Sequence, residues 1–176
     1  IEPTLSPLAT VQPSRFFCPI AIHKLLVMTI CTFGLYQIHW FYRQWDYIRR
    51  DDGRSFNPAL RAILCGIFFY PLIRSVRRRA SEKGNIVSWS PVAISGAWYL
   101  LLVLPELSGL RGWGSVLAVF PIVIVQRSIN QMNEPDEVEG HYSAINRIGI
   151  VLGAMLWILV MFGTFFLLKE RASGTS

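Results

Sequence analysis

The chain has 176 residues, 52% of them hydrophobic, with a mean hydropathy of +0.40, more apolar surface than a soluble domain of this size needs to bury. Its formal net charge is +6, but the basic residues sit beside apolar runs without a nucleic-acid-binding signature, which argues against a nucleic-acid partner. Cys18, Cys31 and Cys65 follow no regular spacing, and Cys31 and Cys65 lie inside apolar runs, which argues against a disulfide framework or a zinc site.

Residues 1–19 read as a flexible N-terminal arm, with Pro3, Pro7 and Pro13 among Ser and Thr and no basic segment of the signal-peptide kind. A helical membrane domain is expected over residues 20–168. Its first span, near 25–42, would run from Leu25 to Tyr42, about 27 Å at about 1.5 Å per residue. Trp40, Phe41, Tyr42 and Trp45 mark an interface, where amphipathic rings settle. Beyond it Phe41, Trp45 and Ile48 share one helical face, and Arg43, Asp46 and Arg50 the other. Gly53 offers a stop.

Asn57 followed by Pro58 is a helix start. The next apolar run, Ala62 to Ile73, covers only about 18 Å, is closed by Arg61 and Arg74, and holds Pro71 near its exit. If it stays on one side of the bilayer, most basic residues gather on that side; if it crosses, the bias vanishes. Residues 58–83 therefore read as an interfacial or re-entrant helix with both ends in the cytoplasm. Spans are expected near 88–106, with Trp89 and Trp98, and near 113–126, where Pro121 interrupts and Arg111 and Arg127 can snorkel. An acidic loop follows (Glu134, Asp136, Glu137, Glu139), then a span near 148–168 and a polar tail, 169–176. The fold class expected is an all-α integral membrane protein with about four transmembrane helices plus one interfacial or re-entrant helix, both termini outside.

The stretch from Phe17 to Trp45 resembles a family of small bacterial multi-pass membrane proteins known only as a domain of unknown function. The similar features are Phe17-x-Pro19, Lys24-Leu25, Thr32-Phe33-Gly34-Leu35-Tyr36 and Trp40-Phe41-Tyr42, with weaker likeness at Arg61-Ala62 and Gln126-Arg127. The resemblance implies a bacterial inner (cytoplasmic) membrane and carries no activity or catalytic residue.

His39 reads as a ligand for haem or pigment, as a proton relay, or as a histidine satisfied by headgroups or a neighbouring helix. His141 with Glu137 has no metal-site motif. Asp46, Asp51 and Asp52 could do acid–base work, but in a run with Arg43, Arg49, Arg50 and Arg54 they read as charge balance. Gly149 and Gly153 form a small-residue packing motif for a helix of this chain or of a second copy. Arg43, Arg61, Arg74 and Arg127, beside Trp40 and Trp45, read as a shelf for anionic phospholipid or as topology signal alone; an acidic loop folded back onto it would neutralise it.

No G-x-S-x-G, P-loop, H-E-x-x-H or dinucleotide fingerprint occurs. The function expected is that of a non-enzymatic accessory or scaffold protein, without metal or cofactor, that packs against another membrane protein or complex and binds anionic lipid. A small transporter or channel would need polar residues lining several spans. An intramembrane enzyme or cofactor-binding protein would turn on His39, with Asp46 two turns away.

Overall fold

Where the sequence suggests one helix over Leu25 to Tyr42, the chain forms two. The computed structural model describes residues 17–53, 55–108 and 113–173; most of the N-terminal arm (1–16), Arg54, Arg111 and the end of the tail lie outside the described residues. Helix α1 (Ile22–Cys31) ends at Thr32, and α2 (Tyr36–Asp52) starts four residues later. The Thr32 hydroxyl donates to the Met28 carbonyl (2.7 Å) and accepts from the Tyr36 backbone N–H (2.9 Å), so one side chain closes α1 and opens α2. Phe33 and Gly34 take φ of 51° and 88°. Gly34 is required twice over: its φ is left-handed, and a Cβ there would overlap Ser115. The two helices fold back as a hairpin, since Lys24 at the start of α1 and Arg43 in α2 both reach Glu139.

Two more antiparallel pairs follow. Helix α3 (Pro58–Ile63) is capped by Asn57, whose Oδ1 accepts from the backbone N–H groups of Ala59 (2.9 Å) and Leu60 (3.4 Å), and it turns at Leu64 into α4 (Cys65–Glu82). Expected residues 58–83 are thus a bent pair rather than one helix, and α4 runs on through Pro71. Helix α5 (Pro91–Leu107) is answered by α6 (Trp113–Leu117) and α7 (Val119–Gln131), with Trp89 Nε1 donating to Ser128 Oγ (3.0 Å) at one end and Gly114 against the Leu102 backbone at the other. The α6–α7 break follows from Pro121, which has no N–H for the carbonyl one turn back, that of Leu117. A 3-10 turn (Pro135–Glu137) leads to α8 (Ala144–Ser173).

The core lies between these pairs. Phe41 meets Trp40, Phe69 and Trp98 edge to face, at centroid distances of 5.3, 5.4 and 5.9 Å. Leu72, Ile73, Ile122 and Ile129 fill in around them.

The fold is all-α, and no strand occurs among the described residues. Among these, two helical stretches have the length and apolar composition to cross a membrane, Trp113–Gln131 and Asn146–Phe166. They differ sharply: 61% of the first is buried inside the protein, against 6% of the second. Helix α8 docks its first half on α1, with Gly149 beside Met28 and Gly153 against the Cys31 backbone, where a Cβ would overlap the carbonyl oxygen. Trp157 then donates to the Ile30 carbonyl (2.9 Å), and beyond it the large apolar side chains from Ile158 to Phe166 are exposed.

Candidate functional site: a polar node and a basic rim

Chain segments remote in sequence meet where the N-terminal segment enters α1. Lys24 is 1% exposed, and its ammonium lies 2.7 Å from Glu139 Oε1 and 2.8 Å from the His141 carbonyl. Burying an ammonium is costly unless it is paired and hydrogen-bonded, and here it is both. Arg43 takes the other oxygen of Glu139 at 3.0 Å and donates to Cys18 Sγ at 3.2 Å. Partial burial works against ionising Glu139, but the Lys24 hydrogen bond and charge, with Arg43 behind them, hold its carboxyl below the usual range. Burial pushes the Cys18 thiol up despite Arg43.

Backbone pairing fixes Glu139 in place. The Ala21 N–H donates to the Glu139 carbonyl (3.2 Å), and the Glu139 N–H donates to that of Pro19 (3.0 Å). One carboxylate thereby ties the α7–α8 loop to α1 and α2. Beside it opens a cleft of about 450 Å³ lined by Cys18, Arg43, Tyr47, Glu137, Glu139 and His141 among others.

A second, neutral network lies beneath. Gln126 is fully buried on α7; its Oε1 accepts from Trp40 Nε1 (2.6 Å), and its Nε2 donates to the Cys18 carbonyl (3.1 Å) and to Asn130 Oδ1 (2.8 Å). Gln44 on α2 bonds both the N–H (3.0 Å) and the carbonyl (3.1 Å) of Cys18. This interior is polar and satisfied, a specifying arrangement for a core.

Two of the four arginines of the expected shelf, Arg43 and Arg61, are engaged within the protein. Arg43 is held by Glu139, so the acidic loop does fold back onto it. Arg61 lies over the rings of Phe56 (3.7 Å), Trp45 (4.5 Å) and Phe68 (5.3 Å). Arg74 and Arg127 are exposed and make no ion pair among the described residues. Trp40 and Trp45 belong to the core, 0% and 3% exposed, and not to a lipid-facing edge. The reason is chemical: the Trp40 indole N–H has Gln126 as its partner, and Trp45 is covered by Arg61.

Asp46 balances Arg49 (2.7 Å) and Arg50 (2.5 Å) on its own helix. Asp51 and Asp52 instead grip Arg79 of α4, with Asp51 at 2.6 Å, and join the ends of the two helices. His39 is exposed, its ring 5.4 Å from that of Tyr36. No group of His, Cys, Asp and Glu suited to a metal occurs among the described residues.

Sequence reasoning did not foresee the partners of Lys24, Gln126 or Arg79, and passed over Gln44 and Asn130. A usable signal was a lone amide inside an apolar run, as at Val125-Gln126, since a buried polar side chain must find partners. No family model matches the chain, and no curated protein or solved structure is similar enough to count as a relative.

Proposed function

We infer that the chain is a non-enzymatic membrane protein, an accessory or scaffold component, held in the bilayer by α8 and touching anionic lipid at its basic rim. The observation that carries this is the surface of α8. Its window Asn146–Phe166 has a mean hydropathy of 2.3 and is 6% buried, and exposed apolar residues follow one another from Ile158 to Met161. Consecutive positions point all round a helix. A protein partner covers one face, whereas hydrocarbon covers every face. The exposed guanidinium groups of Arg74, Arg77 and Arg127 supply forks for phosphate. The bacterial inner membrane is the compartment taken for it, on the resemblance alone.

Alkaline extraction of membranes tests the placement. The protein is expected to stay with the lipid pellet; release into the supernatant would contradict it. Isolation in mild detergent tests the accessory role, with a stoichiometric membrane-protein partner expected and a pore-forming homo-oligomer counting against it.

A further inference from the structure

Helix α8 measures the depth of what packs on it. Trp157 lies ten residues past Arg147 and twelve before Lys169. At about 1.5 Å per residue that is roughly 15 and 18 Å from the two charged positions, the middle of a hydrocarbon layer about 30 Å thick. Trp157 is also where the α1–α2 hairpin ends, with its ring stacked on Phe33 at 4.4 Å. The α3–α4 turn stops at the same level, since Cys65 shares a cavity of about 180 Å³ with Gly34, Leu35, Leu102 and Ser115. Leu35, Ile63 and Ile67 are 67%, 70% and 69% exposed around these two turns, which are therefore apolar tips. Helix α1 itself has 10 residues, about 15 Å and one leaflet deep. Helix α5 goes further: Gly114 meets it at Leu102, so its end at Leu107 lies about 8 Å beyond.

We propose that the fold is a one-sided wedge, and that its partner is a strongly curved lipid surface, convex on the face of Arg74, Arg77 and Arg127. The inference rests on the bilayer-embedded reading above. In the leaflet on the basic side, α1 to α7 and the first half of α8 displace lipid. In the opposite leaflet, among the described residues, the second half of α8 and the last turns of α5 do so. Unequal cross-section in two coupled leaflets favours bending, with the crowded leaflet on the outside of the curve. The same asymmetry makes binding sensitive to curvature already present, as it does for helices that insert into one leaflet.

The test uses the full chain reconstituted into small and large unilamellar vesicles of one composition, phosphatidylethanolamine with phosphatidylglycerol. Flotation reports insertion, protein per lipid reports preference, and protease cleavage from outside reports orientation. The expected result is flotation with both vesicle sizes, a several-fold higher density on the small ones, and the basic face outward in most molecules there. Flotation with equal density and mixed orientation would overturn the wedge and leave the membrane reading standing. Failure to float would overturn both.

Discussion

Phe33 lies flat on Trp157, with ring centroids 4.4 Å apart and planes 19° from parallel. The contact joins the turn of the first hairpin to the midpoint of the long apolar helix, and Trp113 closes on the same ring at 5.4 Å. Aromatic pairs of this kind contribute about 0.5–1.5 kcal/mol beyond their area. Trp157→Ala should therefore lower resistance to unfolding in detergent by about 3 kcal/mol, from lost ring volume and lost stacking. Trp157→Phe, which keeps the stack and loses the hydrogen bond to Ile30, should recover most of it. Equal losses would show that stacking is not what holds α8.

Gly153→Leu should separate α8 from α1. A side chain there meets the Cys31 backbone, which cannot give way as a side chain could. Exposed Gly163, with nothing near its Cβ position, is the control: Gly163→Leu should be tolerated. Crosslinking between cysteines placed at Met28 and Gly149 reads the difference, with efficient linkage in the control and little in Gly153→Leu.

Much of this was legible because its signals are local. Asn57-Pro58 starts α3, Gly53 takes φ of 62° at the end of α2, and the long apolar run makes α8. The turn at Thr32 to Leu35 was hidden because both arms of the hairpin are apolar, and two short apolar helices end to end read as one span. Gly34 was the only local hint. The polar node was hidden for another reason. Gln126 stands out as an amide in an apolar run, but Gln44 does not, and the Cys18 backbone that joins them is far away in sequence from both, so no periodicity points to the meeting.

Glu139→Gln should destabilise the protein by about 2 kcal/mol, less than the full loss of a buried pair because Glu139 is half exposed. The wild type should also be pH-sensitive. Its carboxyl titrates lower in the folded state than in the unfolded one, so the latch stabilises fully above the ordinary carboxyl range and the effect is lost as pH falls through the folded value. Unfolding midpoints in detergent across mildly to strongly acidic pH should fall for the wild type and fall less for Glu139→Gln. Parallel curves would remove Glu139 from the latch.

Gln126→Leu should cost about 2 kcal/mol, since it leaves the buried Trp40 N–H without its acceptor and removes one of the two amide donors to the Cys18 carbonyl, Gln44 keeping the other. Gln126→Glu, which keeps an acceptor for Trp40, should cost less than Gln126→Leu when its carboxyl is protonated at acid pH. Thermal unfolding of the two variants at acid pH checks the order.

Arg74→Ala with Arg127→Ala should reduce retention of phosphatidylglycerol or cardiolipin in native mass spectrometry, at about 1 kcal/mol for each cation near an anionic surface. Arg43→Ala should reduce it less, because Glu139 already occupies that guanidinium. No preference for anionic over zwitterionic lipid in the wild type would leave these arginines as determinants of orientation only.

Depth is the most direct test. A fluorophore attached to a single cysteine at Leu35, at Ile67 or at Ser173, in a background without native cysteine, is read against lipids carrying quenchers at the headgroup or near the acyl terminus. Leu35 and Ile67 should be quenched most by the acyl-terminal group and be closed to impermeant thiol reagents from both sides, while Ser173 should react only on the side opposite Lys83. Headgroup quenching at Leu35 and Ile67, or thiol labelling of either from the Ser173 side, would contradict hairpins that stop at the bilayer midplane beside a through-going α8.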